Sequence, residues 1–135
     1  MLLETNRLVI LTIAEPKFDE DVRTVVCVNG IFKKPDGITA ERLEKDPSLL
    51  SKIGSPIGVI SLGQNGWIDY LILPEFQHNG YATEALEAAK KFAIENDVEP
   101  FLAIDNDNIA SIAVAKKCGF KRIAGSDTQG RYYVV

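Results

Sequence analysis

The segment Gln77-His78-Asn79-Gly80-Tyr81-Ala82-Thr83 is the part of this chain best suited to chemistry, because it joins an apolar, strand-like run to the start of an amphipathic helix. At such a junction successive N–H groups lack intrahelical partners and can converge on an anion. The helix dipole adds about half a positive charge at the same place. Gly80 has no Cβ to hold a ligand off the main chain, and Ala82 keeps the first turn narrow, so a diphosphate can rest there without a lysine. A Gly and an Ala two residues apart equally suit a tight strand-to-helix turn that binds nothing. No Gly-Lys-Ser/Thr follows and no G-x-G-x-x-G is present, which argues against a Walker loop and a dinucleotide fingerprint.

The neighbouring elements decide where this loop points. Leu8 to Ile13 is short and β-branched, which predicts a first strand, and Pro16 breaks the chain before Asp19 to Val28. That stretch predicts a helix, with Val22, Val25 and Val26 at helical spacing and Asn29-Gly30 as its left-handed stop. Thr39 to Lys45 predicts a short helix capped by Thr39. Strands over Leu49–Ile53, Ile57–Leu62 and Trp67–Leu73, separated by Gly54-Ser55-Pro56 and Gly63-Gln64-Asn65-Gly66, predict an antiparallel meander. Leu49-Leu50 alternatively extends the preceding helix past Pro47.

Gly80 to Asn96 carries the clearest helical period. Ala82, Ala85, Leu86, Ala89, Phe92 and Ala93 form one apolar stripe, and Glu87–Lys91 is a supporting surface pair. Phe101–Ile104 predicts a strand, Asn108–Lys117 a helix that ends at Cys118-Gly119, and Phe120–Ala124 and Tyr132–Val135 closing strands. The passage from Trp67 to Ile104 is then a right-handed parallel crossover inside a largely antiparallel sheet.

Composition narrows the function classes. The 135 residues fit one domain spanning the whole chain, with 46% hydrophobic and 25% charged residues and no disordered block. A net charge of -4 and a pI near 5.0 lack the basic footprint that nucleic acid requires. Cys27 and Cys118 have no metal-ligand spacing and are expected reduced and buried, and with one histidine no metal site is expected. The first residues show no basic-then-apolar leader, and no apolar run approaches the ~20 residues that span a bilayer, so a soluble cytoplasmic protein with no membrane partner is expected.

Leu73-Pro74-Glu75-Phe76 followed by Gln77 to Ala85 resembles the signature Q/R-x-x-G-x-G/A of the GNAT superfamily of N-acetyltransferases, in the version of its ribosomal-protein-alanine acetyltransferase branch. Asn108-Ile109-Ala110-Ser111 and Lys117-Cys118-Gly119-Phe120 resemble that branch's N-x-x-S and K-x-G-F, and Leu3-Glu4-Thr5-Asn6-Arg7-Leu8 resembles its L-x-T-x-R-L start. The resemblance implies an α/β (α+β) GNAT fold: a mostly antiparallel sheet of six to seven strands, flanked by helices and parted by a parallel splay between the Trp67–Leu73 and Phe101–Ile104 strands. It implies acetyl-CoA as co-substrate and acetyl transfer to a primary amine, either a small molecule or a protein N-terminus. Pantetheine is expected on the backbone of Leu71, Ile72 and Leu73, the pyrophosphate on Gln77, His78, Asn79, Gly80, Tyr81, Ala82 and Thr83, and the arm near the thioester beside Asn108 and Ser111. Asn108 also reads as a plain N-cap. Lys116, Lys117, Lys121 and Arg122 are candidates for the cofactor's 3′-phosphate, a role that competes with complementing a helix C-terminus.

Amine acetylation needs a neutral nucleophile, yet lysine amines have a pKa of about 10.4 and α-amines of about 8, so a route for proton removal is required. Relatives of the branch often place a Glu five residues before the Asn and a Tyr four before the Gly of G-F. Those positions are Ala103 and Ala115 here. Asp69 is the remaining choice for a base acting through water, against a plain solvated acid on a strand edge. Tyr70 reads as packing, and His78 as a solvated residue of the anion loop. Cys118 follows a helix C-terminal turn, whose dipole raises a thiol pKa and argues against a nucleophile. The two alanines also admit a module that senses acetyl-CoA with weak or no turnover, and the loop alone admits a binder of another nucleotide. Residues 18–45 carry no signature for the acceptor, and the Tyr132–Val135 end offers an edge for pairing in a homodimer.

Overall fold

The computed structural model describes residues 1–134. In order, the elements are β1 (Leu2–Glu4), β2 (Leu8–Thr12), β3 (Lys17–Asp19), β4 (Thr24–Lys33), α1 (Ala40–Lys45), a 3-10 turn (Pro47–Lys52), β5 (Gly58–Gly63), β6 (Ile68–Ile72), a second 3-10 turn (Pro74–Phe76), α2 (Tyr81–Glu95), β7 (Phe101–Asp105), α3 (Ile109–Lys117), β8 (Phe120–Gly125) and β9 (Gln129–Val134). The mixed α/β architecture expected from the sequence is present, but the strands form two sheets. One runs β1-β2-β4-β5-β6 with β3 added to β4, and the other runs β7-β9-β8.

Every ladder is antiparallel. The expected parallel relation between the two crossover strands shrinks to one bridge, Trp67 with Phe101, where the Phe101 N–H donates to the Gly66 carbonyl at 2.9 Å. Gly66 makes this approach possible. Its φ of +101° is open to glycine, and a Cβ there would sit 1.9 Å from the Glu99 carbonyl oxygen.

Two apolar clusters hold the strands by their alternation. Leu8 and Ile10 of β2 face one cluster with Ile31, Ile60, Ile68, Ile72, Leu86, Ala89, Leu102, Ile104 and Phe120, while Val9 faces the other with Ile38, Leu43 and Leu49. The predicted stripe of α2 supplies Ala85, Leu86, Ala89 and Ala93 as buried residues. On its outer face Glu87 pairs with Lys90 at 2.9 Å instead of with Lys91. The Thr39 side chain caps α1 by accepting from the Arg42 N–H at 3.1 Å, as its sequence predicts.

Several expectations fail. Asp19 to Val28 is no helix: it contains the end of β3, a turn with Arg23 at φ +51°, and the start of β4. The run Thr24-Val25-Val26-Cys27-Val28 loses side-chain freedom in a helix but suits a pleated sheet, so strand pairing wins. Asn29-Gly30 stops nothing and lies inside β4. Asn29 is fully buried, with its amide donating to the carbonyls of Ile60 (3.1 Å) and Cys27 (3.2 Å) and accepting from the Thr12 hydroxyl (3.0 Å). Leu49 to Ile53 is a 3-10 turn rather than a strand, because Pro47 takes its first position and the Asp46 carboxylate accepts from the Ser48 N–H at 3.2 Å. The Tyr132–Val135 end offers no free edge: β9 is the middle strand of its sheet, paired with β7 on one side and β8 on the other. Val135 lies outside the described residues. Cys118 is buried as expected, but Cys27 is only half-buried.

A carboxylate ties the N-terminal hairpin to α2. Glu84 accepts from the Thr5 hydroxyl, from the Arg7 N–H at 2.9 Å and from Arg7 Nε at 2.8 Å. Burial pushes its pKa up, but the bonds from Thr5 and Arg7 outweigh this and hold it below the ordinary 4.5. A lowered folded pKa means stability that is present above the unfolded value and lost as pH falls through the folded one. Glu84→Gln should therefore cost about 2 kcal/mol at pH 7, since bonds to a charged acceptor are worth about 1.5–3 kcal/mol each before solvent screening at this half-open site. The gap between variant and wild type should narrow in denaturant titrations below pH 4.5. A gap that stays constant with pH would show that the Glu84 charge contributes nothing.

Candidate active site

The Trp67–Phe101 bridge makes β6 and β7 neighbours at one end only. Beyond it each strand is an edge of its own sheet, and the two diverge around a cleft of about 590 Å³. Its walls come from Ile68 to Tyr70 on β6, Phe101 to Asp105 on β7, Asn108 and Ser111 at the start of α3, and the turn Asp21–Arg23. Facing edges carry unpaired N–H and C=O groups, and an extended chain with amides of its own can satisfy both.

Pairing decides which groups of β6 are available. The Leu73 N–H donates to the Ile57 carbonyl at 2.9 Å and the Gly63 N–H to the Trp67 carbonyl at 2.8 Å, so odd-numbered residues turn their backbone groups toward β5. Ile68, Tyr70 and Ile72 turn theirs toward the cleft. The Leu73 carbonyl also accepts from the Phe76 N–H at 2.9 Å. Of the three residues expected to hold a pantetheine arm, Leu71 and Leu73 thus have their backbone groups committed to the fold. Ile72 keeps its N–H toward the gap, while its carbonyl accepts from Gln77 Nε2 at 2.9 Å.

The candidate anion loop lies past the end of β6. His78 (φ +64°) and Gly80 (φ +80°) both adopt left-handed backbone, the kind of local conformation from which anion-binding nests of successive N–H groups are built. Among the described residues, none of the N–H groups from His78 to Thr83 has a protein acceptor. Gly80 caps α2 with no side-chain bond, leaving the first turn open. Gln77 plays a different part from the one expected: its N–H donates to the Pro74 carbonyl at 3.2 Å and its amide braces Ile72, so it shapes the loop. The Asn79 amide similarly braces the carbonyls of Phe76 (3.2 Å) and Gln77 (3.1 Å).

Arg7 was not among the residues singled out for chemistry, yet it reaches the same loop. Its guanidinium carbon sits 4.5 Å above the Tyr81 ring, and its Nη2 would lie 3.3 Å from a Cβ on Gly80. Thr5 and Arg7 lie far from Glu84 in sequence, and only the folded hairpin brings them together at this loop.

Asn108 Oδ1 caps α3 by accepting from the Ser111 N–H at 3.1 Å, which leaves the Asn108 amide N–H groups and the Ser111 hydroxyl facing the cleft. Lys116, Lys117, Lys121 and Arg122 do not line it, and Arg122 donates to the Ser126 carbonyl at 2.9 Å. Asp69 lines the cleft from the outer face of β6, with Arg23, Asp105 and Arg131 on the same wall system. Burial raises the Asp69 pKa, against a lowering bond from the Tyr70 N–H. Ala103 lines the cleft, whereas Ala115 is fully buried in the core. The Cys118 thiol is pushed up to about 11, first by burial and then by the charge of Glu87, with Lys90 opposing. A thiol held that high is a poor nucleophile at neutral pH, and desolvation is the largest cause.

The family model of the acetyltransferase (GNAT) domain matches residues 33–121. No curated protein matches the sequence. Among solved structures, the fold is similar to a ribosomal-protein α-N-acetyltransferase, RimL, in complex with coenzyme A (TM-score 0.68, 13% identity, 98% of this chain and 97% of that one). It is similar to a GNAT-family acetyltransferase from Bacillus anthracis (TM-score 0.66, 15% identity, 98% and 96%). It also resembles a spermidine N-acetyltransferase from Vibrio cholerae in complex with CoA and spermine (TM-score 0.59, 15% identity), where it covers 81% of this chain and 64% of that one. No helix among the described residues is long and apolar enough to cross a membrane.

Proposed function

The chain belongs to the acetyltransferase (GNAT) domain family, and on that premise we propose that it binds acetyl-CoA and transfers the acetyl group to a primary amine. The observation that carries this reading is the run of unpartnered N–H groups from His78 to Thr83 at the end of β6, beside a gap between two unpaired strand edges. A diphosphate matches the first feature and an amide-bearing pantetheine arm the second. Ile72 offers its N–H to that arm, and Asn108 and Ser111 offer polar groups where the arm enters the cleft. Arg7 adds a cation beside the phosphates.

On the outer face of β6, Asp69 serves as the base. Asp69 is exposed at the cleft wall, so water reaches its carboxylate, and the upward direction that partial desolvation gives its pKa favours proton acceptance; a water between it and the incoming ammonium completes the route. The acceptor is a small amine or a protein N-terminus, the two classes represented by the spermidine and ribosomal-protein enzymes that share the fold. A second reading rests on Ala103 and Ala115, which place no ionisable group in the cleft: a module that senses acetyl-CoA without turnover.

Calorimetry with CoA, combined with mass spectrometry of amine and peptide panels incubated with acetyl-CoA, separates these readings. Binding and an acetylated product that disappears in Asp69→Asn supports the enzyme. Binding without any product favours the sensor. If ATP or NAD raised Tm while CoA did not, the acetyl-CoA assignment would be wrong.

A further inference from the structure

Tyr70 carries an anomaly that the cofactor assignment leaves unexplained. Its hydroxyl is shielded from solvent and, among the described residues, has no hydrogen-bond partner. The side chain leaves β6 on the same face as the buried Ile68 and Ile72, toward α3, and lines the cleft together with Ser111. Ser111 stands near enough to weigh on the ionisation of the phenol without completing a bond. A buried hydroxyl left unmet is a net loss to folding, whereas a phenylalanine ring would fill the same space without one. A ligand that enters the cleft with an acceptor atom at mid-strand removes that loss.

Resting on the acetyl-transfer reading above, we propose that the Tyr70 hydroxyl is a catalytic hydrogen-bond donor to the carbonyl oxygen of the acetyl thioester. When the amine nitrogen forms its bond to the carbonyl carbon, the C=O π pair moves onto oxygen, and Tyr70 O–H stabilises that negative charge. When the oxygen pair re-forms C=O, the C–S bond breaks with its electrons on sulfur, and the proton released from nitrogen reaches the thiolate through water. Tyr70 keeps its own proton throughout. Burial is the first reason: it raises the phenol above its ordinary 10.0, with Cys118 and Asp69 adding to the rise and Ser111 opposing it. A phenol that hard to ionise donates a hydrogen bond well and gives up a proton poorly. A preorganised donor in a water-poor site is worth most where charge develops.

Tyr70→Phe tests this in the full chain, with acetyl-CoA, spermidine and a short peptide bearing a free α-amine as the probes. We expect kcat for thiol release to fall about 10²-fold, the Kd for acetyl-CoA to stay within about twofold, and Tm to hold or rise. The pH–rate profile should keep its shape. A variant with wild-type kcat overturns the proposal, and so does a fall in Tm that accounts for the lost activity. A loss confined to the alkaline limb overturns it in favour of a proton-giving role. Failure of the underlying reading looks different: wild-type protein that binds acetyl-CoA yet releases no thiol overturns both, whereas an active wild type with an equally active variant overturns this inference alone.

Discussion

Gly66→Ala should cost about 3–5 kcal/mol of folding free energy, a large share of the roughly 5–15 kcal/mol that a domain of this kind has. Two penalties add. The new methyl would have to sit 1.9 Å from the Glu99 carbonyl oxygen and 2.9 Å from the carbonyl carbon, both backbone atoms that cannot swing away. The φ of +101° is itself unfavourable for an L residue, at about 1–2 kcal/mol. Relief of the clash requires the Glu99–Phe101 segment to move off Gly66, which breaks the bond from the Phe101 N–H and the only bridge between the two sheets among the described residues. Urea titration of Gly66→Ala beside Gly54→Ala makes the comparison clean, because Gly54 has open space around it and no left-handed φ. Gly54→Ala should stay within about 0.5 kcal/mol of wild type. A Gly66→Ala loss under about 1 kcal/mol would mean that the two sheets are not held together at this point.

The same bridge explains how much of the site could be read in advance. A strand, a tight turn and an amphipathic helix in succession are local features, and Trp67 to Asn96 states all three in its alternation, its glycines and its apolar stripe. The strand–turn–helix frame of the candidate anion loop, with Gly80 at the head of α2, was therefore legible. Backbone partners were not. Whether Leu71 or Ile72 faces the cleft depends on register against β5, and a shift by one residue exchanges them. Gln77 and Asn79 are expected in the loop through their backbone N–H groups; that of Gln77 is taken by the Pro74 carbonyl while that of Asn79 stays free among the described residues, and both side-chain amides brace carbonyls whose positions only the folded loop defines. In Asp19 to Val28 the sequence signal itself was ambiguous: valines at 22, 25 and 26 fit a helical period, and β-branched density decided for the strand once β5 was available to pair with it.

Gly80→Val should weaken CoA about 10²-fold while leaving pantetheine nearly unaffected. The backbone at Gly80 has φ +80° and ψ 7°, and on the proposed reading this left-handed residue lets the free N–H groups of His78 to Thr83 gather on the diphosphate. A valine there has two effects on binding. It strongly disfavours the left-handed conformation, so the loop opens and the N–H groups no longer converge. Its side chain also enters the space beside Arg7 Nη2, 3.3 Å from the new Cβ, where a phosphate oxygen would otherwise meet both the backbone and the guanidinium. Loss of one or two bonds to a charged group, at about 1.5–3 kcal/mol each, gives the expected factor, since about 1.4 kcal/mol is tenfold. Pantetheine carries no diphosphate and, on the proposed reading, would pair only with the edges of β6 and β7, so its affinity would read the cleft without the loop. Calorimetry with both ligands tells loop damage from general unfolding. Equal losses for CoA and pantetheine would place the effect in the fold, and an unchanged CoA affinity would show that the diphosphate does not sit on these N–H groups.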